Sequence, residues 1–157
     1  PYELKAFLGY RNFAKLDEKG EYIAKAKSLW SLLDVATGKP VMVNEDMRRG
    51  YGIDEKLDMD YAPRKFTVPE GGQLLEPIVV KKHHLDTNHH VNNGQYVNIA
   101  MEYLPDDFVI RQMRAEYKKQ AFLEDVLHPY VVQTENGYII CLQDEEGRPY
   151  VSVEFLQ

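Results

Sequence analysis

Residues 85–105 read LDTNHHVNNGQYVNIAMEYLP, and the rest of the chain falls into place around them. Tyr96, Ile99, Ala100, Tyr103 and Leu104 recur at the i, i+3, i+4, i+7 and i+8 spacing of a helix with one apolar stripe, so a helix is predicted over 91–104. Pro105 stops it. Ahead of the helix, Asp86, Asn88 and His90 alternate, and extended backbone at 86–90 would send all three side chains to one side. Asn92, Asn93 and Gly94 form the polar step into the helix, where free backbone N–H groups and the helix dipole favour a negative charge on oxygen. A carboxylate, an amide, an imidazole and an anion-holding helix start imply a compact site for attack on an acyl carbon. Asp and Asn before a helix are also ordinary capping and turn residues, and a His there is often only hydrogen-bonded structure. Asn88, His89, His90 and Asn92 together nevertheless exceed what a cap needs.

Composition bounds the remainder. A chain of 157 residues supports one well-buried domain, or one domain and part of another. It is 44% apolar and 28% charged, and eleven Tyr and six Phe in short alternating runs favour sheet. A net charge of −6 argues against nucleic acid as the main partner. No apolar run approaches the roughly 20 residues of a membrane span, and no signal-peptide pattern opens the chain. The single cysteine, Cys141, lies among Ile139, Ile140 and Leu142, which reads as a buried core residue. It rules out an internal disulfide framework and fits a reducing compartment such as the cytoplasm.

Taken in order, residues 2–16 alternate as a strand, and Asp17, Glu18, Lys19 and Gly20 form a hairpin turn. The return strand, 21–34, puts Tyr22, Ala24, Ala26, Ser28 and Trp30 on one face. Small residues there predict something bulky, such as a helix, packed close against the sheet. From 43 to 75 the pattern breaks, with Gly and Pro interleaved with charge, and Asn44 caps a short helix. Tyr51, Ile53, Leu57, Tyr61 and Phe66 predict that this linker lies along a surface. A strand is predicted at 78–84, and four more at 107–119, 125–135, 137–143 and 149–156. The turn at Asp144 and Gly147 matches that at Asp17 and Gly20 at a constant offset of 127.

At LDTNHHVNNGQYV the chain resembles the acyl-acyl carrier protein thioesterases, which carry L-D-x-N-x-H-V-N-N followed by Tyr; a looser form of the pattern is found in the wider hotdog-fold thioesterases. The resemblance implies an α+β hotdog fold, a long helix wrapped by a curved antiparallel sheet. Strand, helix and four strands supply a complete copy at 76–157. Residues 1–43 then resemble the closing hairpin of a first copy, with 44–75 as linker between tandem domains. On this reading the chain is a fragment, and any upstream targeting segment is missing. An isolated hairpin is marginal in water, so 1–43 needs a surface to lie on, which leaves a homodimer open.

The resemblance also implies a partner, acyl carrier protein bearing an acyl-phosphopantetheine. Lys81, Lys82, Arg111, Arg114, Lys118 and Lys119 are then candidates for docking that acidic protein, beside the plainer reading of solvated strand faces. Plant members of the family carry an acidic residue and a Cys after a Tyr and two basic residues. Here Tyr117, Lys118 and Lys119 are followed by Gln120 and Ala121. A Cys-His-Asn mechanism therefore cannot operate. What transfers is Asp86, Asn88 and His90, with Gln120 as an orienting group for water; Glu102 is a weaker carboxylate candidate. Asp86 is expected to activate water, with direct attack as the lesser alternative; Asn88 is expected to position the carbonyl or the water, and His90 to hydrogen-bond the reacting groups and share the base role. Asn92, Asn93, Gly94 and Tyr96 would bind the substrate, with the N–H groups of 92–94 as oxyanion hole. No cofactor is expected. His83, His84, His89 and His90 invite a metal, but neighbours on extended backbone point to opposite faces, so none is expected. The alternatives are an acyl-coenzyme A thioesterase and a non-catalytic fragment that binds acyl chains or carrier protein.

Overall fold

The computed structural model describes residues 1–63 and 65–157. The chain divides into two compact units, Pro1–Pro63 and Arg64–Gln157.

In the first unit β1 (Glu3–Lys5), β2 (Leu8–Leu16) and β3 (Tyr22–Ser31) form an antiparallel sheet in that order. The short helix α1 (Glu45–Tyr51) is capped by Asn44, whose side chain accepts from Met47 N at 2.8 Å. The stretch after α1 is tied to the sheet. Asn12 Oδ1 accepts from Leu57 N and from the Tyr61 hydroxyl, while Lys25 and Lys27 donate to the carbonyls of Asp58 and Ala62. Its polar groups thus reach the face that carries Asn12, Lys25 and Lys27. On the small-residue face Ala24 and Ala26 are exposed and Trp30 keeps 57% of its surface, so no described residue of this unit supplies the bulky element expected there.

In the second unit, β4 (Gln73–Leu74), β5 (Ile78–Val79), α2 (Asn93–Met101), β6 (Gln112–Tyr117), β7 (Val126–Thr134), β8 (Gly137–Gln143) and β9 (Pro149–Leu156) make one layered body. Its antiparallel sheet runs β4-β7-β8-β9-β6, with β5 also paired to β7. The helix packs on β8 and β9. This is the hotdog arrangement, an α+β fold. The stripe of the sequence is the buried face: Tyr96, Ile99 and Ala100 meet Leu127, Ile140, Leu142, Val151, Val153 and Phe155. Burying a side chain such as Ile99 or Leu142 contributes about 1.5–3 kcal/mol. Cys141 is buried in β8, beside the Ser152 hydroxyl. Among the described residues no helix is long and apolar enough to cross a membrane.

Several predicted boundaries move: the strand expected at 2–16 breaks at Ala6, φ 55°, into the antiparallel β1 and β2, that at 21–34 shortens to Tyr22–Ser31, and others shift in the second unit. The helix begins at Asn93 and gives way after Met101 to tighter turns, where Glu102, Tyr103 and Leu104 donate to carbonyls three residues back. The 107–119 strand contracts to Gln112–Tyr117. The strand expected at 78–84 keeps Val80 paired, through its N–H to Asp125 O, and then turns into a single 3₁₀ turn, Lys82–His84. That turn is closed twice, since Lys81 N donates to His84 Nδ1 at 3.0 Å and His84 N donates to Lys81 O at 3.0 Å. Burial, then His83 and Lys81, push the His84 imidazole below its usual value, which suits its role as neutral acceptor.

Candidate active site

The backbone at 86–90 is not extended, which corrects the alternation expected there. Asp86 Oδ1 accepts from Asn88 N at 2.8 Å and His90 N at 3.3 Å, Asp86 N donates to His90 O, and His89 N donates to Asp86 O. His89 takes the left-handed conformation, φ 62°. The same turn occurs twice more. Asp17 Oδ1 accepts from Lys19 N and Glu21 N with Gly20 at φ 84°, and Asp144 Oδ1 accepts from Glu146 N and Arg148 N with Gly147 at φ 77°. The sequence signal was the Asp three residues before a left-handed position; it is easy to see where Gly fills that position and hidden where His89 does.

The reversal returns the chain beside itself. Asn92 N donates to His84 O and Val91 N to Ala121 O, both at 2.9 Å. Asn92 then caps α2, its Oδ1 accepting from Gly94 N at 2.8 Å. The carbonyl of Asn92 takes two donors, Gln95 N and Tyr96 N. Of the three N–H groups expected as an oxyanion hole, those of Asn92 and Gly94 are thus engaged inside the protein. That of Asn93 has no acceptor among the described residues. It belongs to the peptide whose carbonyl is doubly hydrogen-bonded, which polarises it as a donor.

A cleft of about 420 Å³ opens here. Asp86, Asn88, His90, Asn92, Asn93, Tyr96 and Gln120 all line it, so the fold brings these seven candidates together; Gly94 does not reach its wall. Tyr117, Lys118 and Lys119 line it as well. The sequence marks Tyr117 only as a landmark in a motif, and its place at the end of β6, opposite the helix start, needs the sheet to be known. Glu102, at the far end of α2, is not in the lining.

The side chains differ in how they are held. Tyr96 is buried, its hydroxyl accepts from Ala121 N at 2.9 Å, and burial pushes its pKa up to about 12. It therefore anchors the 118–121 loop, and with it Gln120, to the helix. The His90 ring stands edge-on to Phe122, 5.0 Å between centroids, and its nitrogens have no partner among the described residues. Asp86 Oδ2 is likewise without one. Lys119 pairs with Asp144 at 3.1 Å, and Lys118 with Glu116. Burial alone would raise the Asp144 carboxyl, but hydrogen bonds from Arg148 N–H, Lys119 and the Arg148 guanidinium outweigh it and hold it well below the usual carboxylate range.

His83 and His84 do not point to opposite faces as expected for extended chain: they lie in the 3₁₀ turn with ring centroids 4.1 Å apart. Among the described residues no three His, Cys, Asp or Glu side chains converge as ligands.

Comparison with known proteins bears on this geometry. The chain is 26% identical over 148 residues to the chloroplastic acyl-[acyl-carrier-protein] hydrolase FATB1 of Cuphea viscosissima, covering 84% of this chain and 35% of that protein. It is 23% identical to FATB3 of the same plant, covering 83% and 38%. The chain thus spans little more than a third of the length of these curated relatives. Its fold matches the crystal structure of an acyl-ACP thioesterase from Bacteroides thetaiotaomicron with a TM-score of 0.84 at 21% identity, over 98% of this chain and 64% of that one. A protein of Lactobacillus plantarum described as an oleoyl thioesterase matches with a TM-score of 0.74 at 17% identity, over 96% and 62%. The family described as the acyl-ACP thioesterase C-terminal domain matches residues 70–150, more than half of the chain and the whole of the cleft. The chain belongs to the acyl-ACP thioesterase family.

Proposed function

We propose that the chain hydrolyses fatty acyl thioesters of acyl carrier protein, releasing free fatty acid and carrier protein. The observation that carries this reading is the convergence of Asp86, Asn88, His90 and Gln120 on one cleft with Asn93, whose N–H has no acceptor among the described residues. The thioester carbonyl rests against that N–H, which is held in place before the charge develops. Asp86 is committed to its turn through Oδ1 only, so Oδ2 takes the proton from the attacking water. His90, held at its backbone by the same turn, hydrogen-bonds the water or shares the base role. Asn88 and Gln120 orient carbonyl and water. The leaving thiol, with a pKa near ~8.5, departs as thiolate without a strong acid, in keeping with a site whose other cations are already paired.

Lys81, Lys82 and Arg111 carry no ion pair among the described residues, whereas Arg114, Lys118 and Lys119 pair with Glu154, Glu116 and Asp144. The first three are the better candidates for docking an acidic carrier protein, and Lys81 and Lys82 adjoin the rim of the site in the chain. The shared turn geometry at Asp17 and Asp144 supports reading 1–43 as the counterpart of the last hairpin of 76–157, with 44–75 between them.

The test is thiol release from a ladder of acyl carrier protein thioesters and the matching coenzyme A thioesters. Turnover on the carrier protein supports the reading, and preference for coenzyme A moves the substrate to that class. A folded chain that binds either one saturably without releasing thiol is a binding module, and the proposal fails.

A further inference from the structure

Tyr117 ends β6, where its backbone pairs with Val151 of β9. Its side chain crosses to the start of α2, and the hydroxyl donates to Asn93 O at 3.1 Å. The ring lies 6.2 Å from that of Tyr96 and keeps 42% of its surface exposed on the cleft. An amide's two ends are one conjugated unit, so the carbonyl of Asn93 and the N–H of Gly94 belong to the same peptide. That N–H donates to Asn92 Oδ1 at 2.8 Å. One peptide is therefore gripped at both ends by side chains, Tyr117 at its oxygen and Asn92 at its nitrogen. Drawing density onto the oxygen strengthens the N–H as donor, so each bond reinforces the other.

We infer that Tyr117 is a positioning residue: with Asn92 it clamps the peptide joining Asn93 to Gly94, and so fixes the first turn of α2 whose free N–H faces the reacting carbonyl. This rests on the thioesterase reading above. A helix start held only by its own backbone frays and turns its N–H groups toward water. The clamp removes that freedom on the one turn where direction matters, since an oxyanion donor acts only when aimed before the charge appears. Burial pushes the Tyr117 pKa up, so the hydroxyl keeps its proton at neutral pH and remains a donor. Because the hydroxyl is spent on Asn93 O, its loss bears on the transition state through the helix start and leaves the substrate's own contacts in place.

The experiment uses the full 157-residue chain with Tyr117→Phe, Asn92→Ala and the double variant. In the substrate-free chain, Tyr117→Phe should move the Gly94 amide proton signal upfield and speed its exchange. On an acyl carrier protein thioester, kcat should fall roughly tenfold, the scale of one hydrogen bond. KM should stay within about twofold, since no ground-state contact is lost. The double variant should lose less than the product of the single losses, because both act through one peptide. An unmoved Gly94 signal in a folded variant overturns the clamp. So does an unchanged kcat, a loss confined to KM, or losses that multiply. An inert wild-type chain overturns the thioesterase reading and the positioning role with it, whereas an active wild type with an indifferent Tyr117→Phe overturns only the clamp.

Discussion

Asp86 has a structural role and a proposed catalytic one, and substitution can separate them. Its Oδ1 closes the 86–90 turn through Asn88 N at 2.8 Å and His90 N at 3.3 Å, and its Oδ2 is the proposed base. Asparagine at this position keeps an acceptor oxygen and so keeps the turn, but cannot take a proton. Asp86→Asn should therefore fold with nearly wild-type stability, losing only the charge-assisted part of two partly exposed hydrogen bonds, about 0.5 kcal/mol. Its kcat should fall about 10²-fold or more, the scale of a general base. Asp86→Ala removes the acceptor as well, leaving two backbone N–H groups to water, at a cost of about 1–2 kcal/mol. For a chain of this size that lowers Tm by roughly 2–8 °C. Thermal unfolding followed by circular dichroism, with thiol release on the same samples, reads both quantities. Asp86→Asn with turnover within tenfold of wild type would refute the assignment of the base. Asp86→Ala melting with the wild type would show that the turn does not depend on the carboxylate.

Further outcomes are expected elsewhere. His89→Gly should raise stability by about 0.5–1 kcal/mol, because glycine relieves the left-handed backbone at φ 62° by more than it adds to unfolded-state entropy. Turnover should persist, since His89 does not line the cleft; a lower urea midpoint would contradict this. Asp144 is held below its ordinary carboxylate value, so it contributes stability above about pH 4 and loses it as pH falls further. The urea-midpoint gap between wild type and Asp144→Asn should thus be widest near neutrality and narrow below that pH; a gap constant with pH would refute it. Lys81→Glu with Lys82→Glu should raise KM for the carrier protein thioester at low salt. The effect should fade as ionic strength approaches about 1 M, where screening is nearly complete over a few ångströms. An equal rise for the coenzyme A thioester would place those lysines outside the docking surface.

Much of this protein was legible along the chain. The apolar stripe from Tyr96 to Leu104 gave the helix because its period is imposed by burial against a sheet, and burial is a property a one-dimensional pattern records. The hairpin turns at Asp17 and Asp144 were legible because glycine marks the left-handed position. Gathering of Asp86, Asn88, His90 and Asn92 into one cleft followed from proximity in sequence alone, and it held although the backbone that gathers them is a tight turn and not extended chain. That conformation was hidden because His89 occupies the left-handed position without glycine's signature. Other features depended on contacts between residues distant in sequence. Tyr96 reaching Ala121, Tyr117 reaching Asn93, and the engagement of the Asn92 and Gly94 N–H groups are decided by how β6 and the 118–121 loop meet the helix start. Periodicity tells which face of a helix is buried. Only the packed structure decides which of its terminal hydrogen-bond donors remain free for chemistry, because every competing acceptor must first be placed in space.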